Sequence, residues 1–195
     1  MHDLVSLSSY SNQDTTIGPL LIVGMSNRRF VYGDKRGRVL YDGALDSEGF
    51  PHGEGQCIYN SDEVYSGDWI HGKRHGQGCY EGDMHRYTGK WADGLPSGVG
   101  IEVSASGYTY RGSWILGYKS GFGSYHSLSR ARYDGSWAFN KRNGQGVETH
   151  PDGVRVIGYF ADDRAIGECV VLACASLDCT LQYFDNETAP SLSPI

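Results

Sequence analysis

The sequence is short of several things at once. It has only 6 prolines and 3 methionines, and 17 basic against 23 acidic residues, a formal net charge of −6. That balance argues against broad attraction to nucleic acid or to an anionic bilayer, so no nucleic-acid partner is expected. No stretch approaches the roughly 20 apolar residues of a membrane-spanning helix; Leu20–Val23 is the longest candidate near the start. The opening "MHDLVSLSSYSNQD" has neither the charged-then-apolar order of a secretion signal nor an Arg-rich transit character. A cytoplasmic protein is expected, in which the formal sequon Asn186-Glu187-Thr188 would stay unmodified.

Five cysteines (Cys57, Cys79, Cys169, Cys174 and Cys179) include no Cys-x-x-C pair, so packed, reduced thiols are expected and no metal site. The seven histidines are scattered, and no G-x-S-x-G, H-E-x-x-H or G-x-G-x-x-G pattern occurs. No catalytic residues and no cofactor are therefore assigned.

Glycine, in contrast, is abundant: 28 residues, interleaved with 14 tyrosines. It follows a repeat, Tyr-x-Gly-x-Trp, then Gly, then Gly-x-Gly, as in "YSGDWIHGKRHGQG" from Tyr65. The unit recurs from Tyr87, Tyr110 and Tyr133. It is present from Tyr41 with one inserted residue and Leu45 in the Trp column, and from Val156 as a degraded copy with Phe160 there. Start-to-start distances are 24, 22, 23, 23 and 23 residues, and the repeat columns hold 21 of the 28 glycines and all four tryptophans. Gly67 and Gly72-Lys73 imitate the spacing of a phosphate loop. Arg74 stands where that loop needs Ser or Thr, and the equivalent repeats lack the Lys, so the match is accidental.

Tyr, Gly and Trp at i, i+2 and i+4 share one face of a strand, while the alternate residues (Ser66 and Asp68, Thr88 and Lys90, Arg111 and Ser113) are mostly polar. A turn follows, then a second strand opening with Gly-x-Gly, with His52 and His75 in turn positions before it. "NSDE", "GDMH", "SASG", "SLSR" and "PDG" read as the closing turns. The fold expected is all-β: an elongated, twisted, single-layer antiparallel sheet of consecutive β-hairpins. Residues 1–17 are expected to be disordered and 18–40 to form an N-terminal capping hairpin. Six repeats fill 41–168, 169–185 form a C-terminal cap (a hairpin, or alternatively a helix), and 186–195 a disordered tail.

This pattern, over residues 41 to 169, closely resembles the MORN (membrane occupation and recognition nexus) repeat family. The resemblance implies an aromatic groove along a hairpin array. The His-Gly-x-Gly runs at His52 and His75 and "GKRHGQG" look most like radial-spoke-head and related ciliary or cytoskeletal members. The function expected is a non-catalytic scaffold that binds a helix or extended peptide of a partner protein. The groove residues would be Tyr65, Trp69, Tyr87, Trp91, Tyr110, Trp114, Tyr133 and Trp137, although the same rings could instead pack on one another as the core. A homodimer through terminal strands is a further expectation. The place expected is a cytoskeletal assembly, with a ciliary or flagellar axoneme one such setting. The alternative is a phosphoinositide or membrane-surface adaptor using the basic turn residues Lys73, Arg74, Lys141 and Arg142, disfavoured by the overall charge.

Overall fold

A computed structural model describes the backbone of residues 29–34, 37–59, 63–172 and 179–184. The stretches 1–17 and 186–195 lie outside the described residues. All regular structure among the described residues is β-strand, and neighbours in the sheet follow chain order from β1 to β14. The pairings are antiparallel, as expected of consecutive hairpins.

The described residues up to Gly100 form one compact unit and those from Ile101 a second. The first holds β1 (Arg29–Asp34), β2 (Gly37–Leu45), β3 (Pro51–Ile58), β4 (Val64–Ile70), β5 (Lys73–Glu81), β6 (His85–Ala92) and the start of β7 (Leu95–Ser104). The second continues with β8 (Thr109–Ile115), β9 (Tyr118–His126), β10 (Arg132–Ala138), β11 (Lys141–Thr149), β12 (Arg155–Ala161), β13 (Arg164–Leu172) and β14 (Cys179–Phe184). Residues 179–184 are strand, paired with β13.

In the repeats from Tyr65 onward the hairpin turn is two residues long and comes earlier than the Gly-x-Gly pattern suggests. His71-Gly72, Asp93-Gly94, Leu116-Gly117, Phe139-Asn140 and Asp162-Asp163 all have positive φ at both positions, the geometry whose twist matches paired strands. The second strand therefore starts three residues before the first glycine of Gly-x-Gly. His52, His75, Lys73, Arg74, Lys141 and Arg142 are strand residues, not turn residues as the sequence reading had them. The reason is local: the turn closes directly after the residue that follows Trp, and Gly-x-Gly serves the sheet instead.

The β4–β5 hairpin shows how. Its register shifts between Gly67 and Asp68, and Gly76 takes φ +55° at the irregularity. Gly78, opposite Gly67, lies under the Tyr65 ring. The Tyr65 hydroxyl donates to the Asp68 carbonyl at 3.0 Å. The same hydroxyl-to-(i+3)-carbonyl bond recurs at Tyr41, Tyr87, Tyr110 and Tyr133, at 2.9–3.1 Å. The extra residues, Gly76 and Gln77, lie on the Gly-x-Gly strand, and the tyrosine of the facing Tyr-x-Gly-x-Trp strand closes on the carbonyl opposite them.

Candidate functional site

Trp69, Trp91 and Trp137 each sit edge-on between the tyrosine of their own repeat and that of the repeat before, and Trp114 lies edge-on to Tyr110 of its own repeat. Trp69 meets Tyr41 at 5.5 Å and Tyr65 at 5.0 Å, and Trp91 meets Tyr65 at 5.2 Å and Tyr87 at 5.1 Å. In the second unit Trp137 lies 5.1 Å from Tyr110 and 5.3 Å from Tyr133, and Phe160 takes the same place 5.0 Å from Tyr133. All are near-perpendicular, the arrangement aromatic quadrupoles favour. The indole N–H groups of Trp69, Trp91 and Trp137 donate to the carbonyls of Gly55, Gly78 and Gly123 at 3.0–3.2 Å. Within each unit the rings therefore bury one another along the strands.

That packing decides the state of the eight residues expected to floor a groove. Tyr65, Tyr87, Tyr110 and Tyr133 are 0% exposed, Trp69 1%, Trp91 and Trp114 2%, and Trp137 7%. They are brought together as expected, but as core. Burial pushes the hydroxyls of Tyr80, Tyr125 and Tyr133 up to about 12, and that of Tyr65 higher still.

The four basic residues expected to form a lipid-binding patch are split by the strand alternation. Arg74 and Arg142 are buried on the ring face. The Arg74 guanidinium lies 4.5 Å from the Trp91 centroid, and that of Arg142 5.6 Å from those of Tyr133 and Phe160. Arg142 also pairs with Glu148 at 2.6 Å and Asp163 at 3.3 Å. Lys73 and Lys141 are exposed, and each faces a neighbouring turn carboxylate: Asp93 at 3.6 Å and Asp162 at 2.8 Å. The Lys141 ammonium holds the Asp162 carboxyl below its ordinary value.

The sequence reading missed a group of exposed apolar side chains in the second unit. Ile115 is 59% exposed, Leu116 66%, Phe122 69% and Phe139 74%. Leu116 and Phe139 occupy the first turn position, at φ +50° and +49°, where the other repeats have His71, Asp93 and Asp162. A bulky apolar residue there is strained. Phe139 makes an edge contact with Tyr118 at 5.8 Å, and Tyr118 pairs with Ile115 across the hairpin. Leu116 and Phe139 in a column otherwise held by His71, Asp93 and Asp162 are the signal the sequence carries for this group.

Among the described residues no His, Cys, Asp and Glu cluster could hold a metal ion, and Cys79 and Cys169 are thiols outside any disulfide.

The MORN repeat family model matches residues 47–63, 65–84, 87–107, 110–127 and 133–155. The chain belongs to the MORN repeat family. This array is similar over short stretches to "Inactive protein tyrosine kinase pTKL" of Plasmodium berghei (strain Anka), 34% identical over 55 residues. It is likewise similar to the protein of that name from Plasmodium falciparum (isolate 3D7), 39% identical over 54 residues. Those matches cover 28% and 27% of this MORN chain and 4% of each relative. Among solved structures, the SAS-4 (dCPAP) TCP domain of Drosophila melanogaster, determined with a proline-rich motif of Ana2 (dSTIL), matches at a TM-score of 0.46 and 11% identity. That match covers 83% of this chain and 88% of the other.

Proposed function

We propose that this MORN array is a non-catalytic scaffold that binds a partner protein, and that the contact is made by exposed apolar side chains of the second unit. The observation that carries this reading is the outward exposure of Ile115, Leu116, Phe122 and Phe139. Two of these sit at backbone positions whose strain a His, Asp or Asn would relieve. Exposed apolar surface kept at a cost in stability marks an interaction site. The groove reading of Tyr65, Trp69, Tyr87, Trp91, Tyr110, Trp114, Tyr133 and Trp137 becomes a supporting role, since these rings set the strands from which the apolar residues project. Pairing of two copies through β1 or β14 belongs to the same proposal, because each has one neighbour in the strand order.

A cytoskeletal or ciliary setting is the finer form of this reading, and its support is the His-Gly-x-Gly resemblance at His52 and His75. The lipid-adaptor alternative is the weaker, because Lys73 and Lys141 already face Asp93 and Asp162.

The test is affinity capture with the wild type and a Leu116→Asn/Phe139→Ser variant whose Tm is not lowered, with protein and lipid identified in each eluate. A stoichiometric protein lost from the variant supports the scaffold. Equal recovery by both excludes this surface. Phosphoinositide vesicles retained by wild type and lost on Lys73→Glu/Lys141→Glu would reverse the ranking.

A further inference from the structure

Arg74, Lys119 and Arg142 occupy one column, the second residue of the strand that follows the turn, and each is drawn over the tyrosine ring of its repeat. The cations of the second unit are neutralised inside the fold. Lys119 Nζ lies 2.6 Å from Glu102 Oε2, both nearly buried. Arg142 Nη1 donates to Glu148 Oε1, six residues further along the same strand. Three places in the repeat therefore supply a carboxylate: six residues on, the corresponding strand one hairpin back, or, as Asp163 does for Arg142, the second turn residue of the next hairpin. For Arg74 those places hold Tyr80, Cys57 and Gly94, none of them acidic.

The geometry agrees with that count. Arg74 is 4% exposed, and among the described residues no carboxylate is within ion-pair distance of it. Its Nε is buried without an acceptor. Four rings hold the guanidinium: Trp91 at 4.5 Å, Tyr80 at 5.4 Å, Tyr65 at 5.7 Å and Tyr59 at 5.9 Å. Burial first, and then the nearby Glu63 carboxylate, raise the Tyr80 hydroxyl. A desolvated cation with an open donor is costly to keep, and a planar guanidinium fixed by stacking is pre-organised for one ligand chemistry, a carboxylate.

We propose that Arg74 is an acceptor site for a carboxylate supplied from outside the fold, an Asp or Glu side chain of a partner segment. It stands in for the glutamate that Lys119 and Arg142 receive internally. Only the identity of the bearer rests on the scaffold reading; the site itself is testable without a partner.

The experiment follows the Arg74 Nε–Hε resonance of the full chain by NMR while acetate replaces chloride at constant ionic strength. The resonance is assigned by its loss in Arg74→Met, and Arg142 Nε–Hε is the internal reference. The expected result is a saturable shift at Arg74 with none at Arg142. Tyr80→Glu, which installs a carboxylate six residues on, should weaken the acetate response by about tenfold or more. An Arg74 shift no larger than the drift at Arg142 overturns the site. Saturation by phosphate and not by acetate overturns the carboxylate assignment. If Tyr80→Glu fails to fold, the wild-type titration alone decides.

Discussion

At Gly76 the chain needs a left-handed φ of +55°, while two residues on, at Gly78, it needs empty space. A Cβ at Gly78 would lie 2.3 Å from the Tyr65 hydroxyl and 2.5 Å from Cζ. The ring cannot retreat, because its hydroxyl is bonded to the Asp68 carbonyl and its faces carry Trp69 and Trp91. Gly78→Ala should therefore destabilise by about 1–3 kcal/mol or more through overpacking, read as a lower urea midpoint. An unchanged midpoint would mean the ring is freer than its contacts indicate. The sequence displayed both glycines as one motif; their separate reasons emerge only when φ and the neighbouring ring are known.

At the scale of the hairpin, the first turn residue is the variable that matters. His71, Asp93 and Asp162 tolerate φ values of +45° to +48°, and His71 is further fixed by a hydrogen bond between its Nδ1 and Asp46 Oδ2 at 2.9 Å. Leu116 does not have that tolerance, and a left-handed conformation costs a bulky residue about 1–2 kcal/mol. Leu116→Asn should accordingly raise stability by about 0.5–1 kcal/mol, seen as a higher Tm. Phe139→Asn should gain less, since it forfeits the edge contact with Tyr118. A lower Tm for Leu116→Asn would show that the leucine packs rather than projects. The strands were readable from alternation, and the closing turns from "SASG" and "SLSR", where Gly107 N–H donates to the Ser104 carbonyl and Arg130 N–H to that of Ser127. The hairpin turns were not readable, because Leu-Gly and Phe-Asn are weak signals and the stronger Gly-x-Gly drew attention three residues downstream.

At the scale of the molecule, the core is a row of phenols and indoles, and its pH response follows. Burial raises Tyr80, Tyr125 and Tyr133 from an ordinary 10.0 to about 12. A folded-state value above the unfolded one means the stabilisation is fully present below pH 10 and is lost as pH rises from there through about 12. Alkaline titration should show tyrosinate absorbance rising steeply above pH 10, together with loss of the near-UV circular dichroism of the rings. A gradual rise centred on the ordinary tyrosine value, with the dichroism intact, would contradict the burial.

The sequence by itself determined the repeat length, the all-β hairpin class, the MORN family and the clustering of the Tyr and Trp columns, because a fixed spacing on an alternating strand places them together. It also carried the polar composition of the opposite face, in Ser66, Asp68, Thr88 and Lys90. What the tertiary structure decided was exposure. Whether a ring is a groove floor or a core depends on the neighbouring repeat, which here lays a ring edge against Tyr41, Tyr65, Tyr110 and Tyr133. The same neighbour effect buried Arg74 and Arg142 while leaving Lys73 and Lys141 in solvent. Adjacent basic residues on a strand point to opposite faces, and only the placed turn fixes which face each one takes.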